Sequence, residues 1–364
     1  MQRWLGAAVS ALVGLTLVAP SAGAASSSRI PHVTKPAPGI LKVHPGGSIQ
    51  AAVDAADPGE TVVVAAGVYH ESVTIRTDGI TLRGAGPRLS ILVPPADMSG
   101  TCTKFSGGSG VCVLGRFGAG GSIADRTARV SILGLGFRGW PGMGVFALGA
   151  KKLTISGNEA RSIGEYGFAR FDSVGGSIVD NVAKATGEAG IYVGDSANAD
   201  VAVRNNRVAK SLFGIFVRHA HRVVMEHNMA WNNCQGIFVL DDGQPGGAGH
   251  SLIRYNVVNE NNRACPGGDE APPLRGGGIA LLGAVETTVS WNVVRSNRGN
   301  KLLSGGVVLM SSKQITGGSH ANDNTVVRNI AYGNEPLDIR WDGKGSGNVV
   351  TGNSCGTASD PGFC

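Results

Sequence analysis

Beyond residue 24 the sequence has no run near the roughly 18 consecutive apolar residues that a membrane-spanning helix needs, so no helical membrane protein is expected. It has no basic run interleaved with aromatics, which argues against nucleic acid as a partner. It has no Cys-x-x-Cys pair, so the spacing of a structural zinc site is missing. Its 57 glycines follow no triplet period, which excludes a collagen-like chain. The formal net charge is +6, a mild basic excess that weakly favours acidic partners.

The start of the chain differs from the rest. Arg3, the apolar stretch Leu5 to Val18 and the small residues Ala22-Gly23-Ala24 read as a secretory signal peptide over residues 1–24. Residues 25–40 are polar and proline-rich, and read as a flexible leader. An exported chain should pair its six cysteines, and six allow fifteen connectivities. Short loops point to Cys102–Cys112 and Cys355–Cys364, which leaves Cys234–Cys265.

From residue 41 to residue 364 a single domain is expected. Ser48 is a plausible N-cap, Ile49, Ala52, Val53 and Ala56 share one helical face, and Pro58-Gly59 stops the helix. The period then changes to two, in short strands broken by glycine. From about residue 130 an asparagine recurs at 158, 181, 206, 228, 256, 292, 329 and 353. A glycine that opens an alternating strand recurs at 144, 167, 190, 214, 236, 278 and 306. Two markers keeping one period of about 22–25 residues, with longer gaps at insertions, is the signature of a solenoid.

No repeat holds a helical pattern of its own, so helical and leucine-rich repeats fit poorly. Three short strands fill such a period, and stacked coils pair them in parallel about 4.8 Å apart. The expected fold is all-β: a right-handed parallel β-helix with a short N-terminal capping helix. The insertions fall at residues 242–250, 262–277 and 312–322, and should land on one face. The asparagines read as a structural ladder, because Asn tolerates left-handed turns and bonds neighbouring backbone. Residues 336–343 read as a structural C-terminal coil closed by cysteines, which points to a monomer.

"GGSIQAAVDAADPGETVVVAAGVYHESVTI" resembles the opening of pectin-lyase-like right-handed β-helix proteins. The matching residues are Pro58-Gly59-Glu60-Thr61-Val62 and Gly67-Val68-Tyr69-His70-Glu71. The resemblance implies the fold over residues 41–364 but no one activity, since the superfamily includes pectate and alginate lyases, uronan epimerases, polygalacturonase-type hydrolases and proteins of no known activity. It transfers no catalytic residue. The Asn-Thr-Asp, Gly-His-Gly and Arg-Ile-Lys motifs of polygalacturonase-type hydrolases are absent, although Asp241-Asp242 is similar to their paired aspartates. The Asp-Pro-His motif of uronan epimerases and the vWiDH signature of pectate lyases are missing too.

Chemistry is expected where the repeats diverge. Five residues beyond successive repeat glycines stand Asp172, Asp195, His219 and Asp241. On stacked coils they form one column at about 4.8 Å steps, and carboxylates that close raise one another's pKa or demand a cation. These four are the catalytic candidates, with His219 as base. Asp172, Asp195 and Asp241 are also the candidate ligands of a Ca²⁺ cofactor. Arg170, Arg218, His221 and Asp242 lie close enough in sequence to bind substrate, Arg218 by holding a uronate carboxylate. Tyr192, Phe216 and Phe238 alternate with core residues and offer an outward strip for sugar stacking. The expected function is a secreted polysaccharide lyase acting on an acidic, uronate polysaccharide. A glycoside hydrolase using the same carboxylates and a non-catalytic carbohydrate-binding or cell-surface protein are the alternatives.

Overall fold

A computed structural model describes residues 32–37, 39–267 and 272–364. The signal-peptide segment lies outside the described residues. The leader lies there only in part, and its reading as flexible is corrected at its end. Val33–Ala37 is a strand paired antiparallel with Ile40–Val43.

The chain winds into a right-handed parallel β-solenoid. Three sheets run its length, with 14, 11 and 10 strands among the described residues. The alternation read from the sequence sets the register. Ile191 stacks on Ile215, Ile237, Ile279, Val307 and Ile339 in the third sheet, and all six are fully buried. Val203 stacks on Met225, Ile253, Val289 and Val326 in the first, and Val208 on Ala230, Val258, Val294 and Ala331 in the second. Burying each such large aliphatic side chain contributes about 1.5–3 kcal/mol before entropy is counted. A one-residue slip would turn the whole row to solvent, so the register is fixed.

At the N-terminal end Ile49–Asp54 is helical, and Ile49, Ala52 and Val53 are buried in the core. The Ser48 side chain accepts from the Ala51 N–H at 3.0 Å. Glu71 accepts from the Ile49 and Gln50 N–H groups at 2.6 and 3.0 Å, so a distant carboxylate completes the cap.

The asparagines do form a ladder, by a different geometry from the one expected. Oδ1 of Asn181 accepts from both the N–H and the Nδ2 of Asn158, at 3.0 and 3.1 Å. The pattern repeats through Asn206, Asn228, Asn256, Asn292, Asn329 and Asn353. The ladder residues are not the left-handed ones. The residue before each is: Asp180, Asn205, His227, Tyr255, Trp291 and Arg328 have φ of 55–57°. Even Trp accepts that conformation, at a cost of about 1–2 kcal/mol, because the buried bonds of the next residue hold the turn. A second ladder joins Asn233, Asn261, Asn297 and Asn334. Asp338 ends it, accepting from Asn334, Gly356 and Thr357.

The six cysteines stand in three bonded pairs, Cys102–Cys112, Cys234–Cys265 and Cys355–Cys364. Among the described residues no helix is long and apolar enough to cross a membrane.

Loops cover the outer face of the third sheet, which overturns one expectation. Tyr192, Phe216 and Phe238 are only 1%, 5% and 1% exposed. They form a second apolar cluster with Phe171, Phe213, Leu274 and Leu303. Alternation places them outside the coil, but the loops bury them, so they offer no sugar-stacking strip. Arg170 is corrected as well. It shares the inward face of its strand with Phe168, is fully buried, and pairs in register with Val193 of the core.

Candidate functional site

The site grows from the end of the third sheet. Gly194 pairs with Arg218 and Arg218 with Leu240, so Asp195, His219 and Asp241 take equivalent places on successive coils. Phe171 pairs with Gly194, which sets Asp172 one coil earlier. Asp172, Asp195 and His219 all have left-handed φ, of 37°, 49° and 47°. Asp172 follows its strand directly, whereas Asp195 and His219 lie one residue inside the ends of Ala189–Ser196 and Phe213–Ala220, where the left-handed residue interrupts the alternation.

The column forms in register, but its four members do not act together. Asp172 turns away to Arg126, which donates to its carboxylate at 2.6 Å and to its carbonyl. Asp241 is buried in a structural role: its carboxylate accepts from the Gly243 N–H at 2.9 Å and the Ser319 N–H at 3.0 Å. It fastens one insertion to the coil.

Asp195 and His219 do meet, and Asp242 joins them. His219 Nδ1 lies 3.1 Å from Asp195, and Nε2 is hydrogen-bonded to Asp242. Arg218 donates to the same Asp242 carboxylate from Nε and Nη2, both at 2.7 Å. Ionised carboxylates only accept, so this pair of partners favours the imidazolium, which donates from both nitrogens. Burial pulls the His219 pKa down, but the two carboxylates outweigh it and the value is raised. Burial pushes Asp242 up, but His219 and Arg218 outweigh that and hold it below the usual carboxylate range. His219 and Asp242 are 3% and 1% exposed, whereas Asp195 is 42% exposed. The order from core to solvent is therefore a buried carboxylate, a buried imidazolium and an exposed carboxylate.

Gly194 makes room for this arrangement. A Cβ there would run into the Tyr192 hydroxyl, so the buried ring fits beneath the strand end only against glycine. Burial pushes the Tyr192 pKa well up, and the charge of Asp195 adds to it.

His221 lies on the far side of the turn. Its ring bonds the Gly246 carbonyl and sits 4.9 Å from the His250 ring, away from the Asp195 carboxylate. Asp172, Asp195 and Asp241 each have other partners. Among the described residues no group of three or more His, Cys, Asp or Glu could hold a metal ion. The expected Ca²⁺ site has no donor set there. Sequence reasoning missed the bond between Asp242 and His219. The doubled acid Asp241-Asp242 was the signal, because neighbours on an extended chain point opposite ways and only one can continue the column.

The family described as "Right handed beta helix region" matches residues 75–211 and 143–319. No curated protein matches the chain. The A-module of the Azotobacter vinelandii mannuronan C-5 epimerase AlgE6 is similar in structure, with TM-score 0.57 at 17% identity over 86% of this chain and 94% of that one. The AlgE4 A-module of the same organism gives 0.58 at 18% identity, over 86% and 95%. The DFA-IIIase of Arthrobacter chlorophenolicus A6 gives 0.56 at 14% identity, over 84% and 79%. At those identities the likeness concerns the fold. With the family matched over most of its coils, this chain belongs to the right-handed β-helix family.

Proposed function

We propose that the protein is a secreted polysaccharide lyase acting on a uronate polysaccharide, with Asp195 as the group that exchanges a proton with the substrate. The observation that carries this reading is the inequality of the carboxylates. Asp241 and Asp242 are buried and bonded, and Asp172 is paired with Arg126. Asp172 is as exposed as Asp195, at 44% and 42%, but is tied up by Arg126, whereas Asp195 is held only by His219. A hydrolase needs two working carboxylates across the scissile bond. A β-elimination needs one proton acceptor and nearby positive charge to stabilise the developing carbanion. Arg218 and His219 supply two cations there, one of them balanced by Asp242.

Asp195 takes the proton on the carbon next to the uronate carboxylate, the freed electron pair forms the C=C bond as the bond to the glycosidic oxygen breaks, and that oxygen takes a proton from water. Arg218, partly buried, faces the developing negative charge. His219 is a positioning residue: both its nitrogens are engaged, so it orients Asp195 and does not itself act as base. Asp242 keeps His219 charged. The structural neighbours named as epimerases and DFA-IIIase support a glycan as the partner. Three disulfides support export. The helix Ile49–Asp54 serves as the cap of the open core end.

The test is ultraviolet absorbance of the purified mature protein with polygalacturonate, alginate and hyaluronan. A rise that marks unsaturated uronide, lost in Asp195→Asn, is expected. A flat trace with all three, beside a positive reducing-sugar assay, would assign a hydrolase instead.

A further inference from the structure

A cleft of about 460 Å³ opens on the same corner of the solenoid, on the N-terminal side of Asp195. That volume lies within the roughly 300–1,000 Å³ of small-molecule sites. Its charged lining is Arg126, Arg129, Lys151 and Lys152 against Asp78 and Asp125.

The cleft is a built feature. Arg116–Phe117 and Ile123–Asp125 form an antiparallel hairpin inserted after a third-sheet strand. Leu148 pairs with Phe171, so Gly149 takes the place that Asp172 takes on the next coil. A Cβ at Gly149 would stand 2.8 Å from Ile123 Cδ1, and one at Gly115 would stand 2.7 Å from the Asp125 carbonyl. Glycine at both places lets the hairpin seat on the coil and wall off the end of the column. From its base Arg126 reaches forward to Asp172.

The charges in the cleft do not cancel. Asp125 is paired with Arg116, which stands outside it. Asp78 accepts from the Ala128 N–H at 2.9 Å and reaches Arg129 only at 3.9 Å. Lys151 and Lys152 are exposed and hold no ion pair among the described residues. From Gly149 to Asp195 is two coil steps, about 10 Å.

We propose that this cleft is an anion subsite, which holds a carboxylate- or sulfate-bearing unit of the glycan two coils away from the unit at Asp195. The substrate then lies along the corner, parallel to the solenoid axis. The proposal rests on the lyase reading for the identity of the chain, but not for the binding.

Binding is measured without turnover, in the full chain carrying Asp195→Asn. The probes are oligogalacturonate, sulfated dextran and neutral dextran, titrated by calorimetry at low and at physiological salt. Adding Arg129→Gln, Lys151→Gln and Lys152→Gln should weaken an anionic probe by about tenfold or more and flatten its salt dependence. Neutral dextran should be indifferent to the three changes. Preference for oligogalacturonate or sulfated dextran identifies the anion. Equal affinity with and without the three cations, or no binding of either anionic probe, overturns the proposal. The wild-type absorbance assay separates it from the lyase reading. Anion binding that depends on the three cations, with no unsaturated product, leaves the cleft standing and removes the lyase. Product formation with the same KM after the three changes does the reverse.

Discussion

His219 and His227 sit eight residues apart on one coil and share a backbone conformation, with φ of 47° and 56°. One is buried between two carboxylates; the other is exposed and stacked on Tyr255 at 5.2 Å. Each lies at a corner of the coil, His219 one residue inside the end of Phe213–Ala220 and His227 just past Val223–Glu226, so the coil alone does not make a site. The difference is what stands beside the corner. Asp242 begins the insertion that covers His219, and Asp241 fastens a second insertion at Ser319. The corner at His227 has no such insertion among the described residues, only Tyr255 and Trp291 on the next two coils. The repeat supplies equivalent positions, and the loops decide which of them becomes enclosed.

The sharpest way to break this contrast is His219→Ala. It removes the partner of a buried carboxylate and leaves Asp242 with Arg218 alone, a loss of about 3–5 kcal/mol. Denaturant midpoints should show it, together with loss of any lyase activity. The pH dependence follows from the same pair. The raised pKa of His219 gives stability that is full below its unfolded value of about 6.5 and is lost as pH rises through the folded value. The lowered pKa of Asp242 gives stability present above about 3.9 and lost as pH falls through its folded value. Stability should therefore be greatest between the two, and the alkaline fall should vanish in His219→Ala. An unchanged alkaline limb would mean that His219 is not held as a cation.

The other corner is broken through its ladder. Asn228 donates to the Val203 carbonyl at 2.8 Å and to Asn256 at 3.0 Å, while its oxygen serves Asn206. Asn228→Leu fills the space but strips partners from the Val203 carbonyl and the Asn206 N–H and Nδ2 on the coil before and removes one bond to Asn256 on the coil after, a loss of about 3 kcal/mol. Hydrogen exchange should localise it to the neighbouring coils, since solenoid stability is a sum of nearest-neighbour terms. A loss under about 1 kcal/mol would mean that water satisfies the gap.

The solenoid and the Asn ladder were legible because they repeat: one residue type at one spacing reports one place on the coil. The column was legible for the same reason, and Asp195 and His219 were reached through it. Repetition says nothing of the insertions, and the errors gather there. Tyr192, Phe216 and Phe238 do alternate outward as read, but the covering loops fall outside the period. Asp241 and Asp242 exchanged roles because a loop residue, Ser319, claimed the first. Arg170 broke the pattern from inside, since a charged residue at an inward place is read by default as outward.

That inward Arg170 offers a smaller test. Only Nη1 has a partner, the Gly175 carbonyl at 2.9 Å, and Nε and Nη2 have none. Burial, with Arg126 nearby, lowers its pKa to about 10. Arg170→Met keeps much of the volume and removes an uncompensated buried cation, so stability at neutral pH should rise by about 1 kcal/mol or more. A clear loss would show that the guanidinium holds Gly175, and with it the turn after Asp172, in place.

The smallest effect is expected at His227→Ala. Its ring is exposed and rests on Tyr255, and no carboxylate is bonded to it among the described residues. An exposed substitution that leaves the left-handed turn and the neighbouring Asn228 ladder intact should stay within about 0.5 kcal/mol and leave activity unchanged. The left-handed φ is the one source of extra cost, and Ala and His meet the same Cβ constraint there. If activity fell with His227→Ala while the fold held, the corner without insertions would carry part of the site, and enclosure by loops would not be what separates the two histidines.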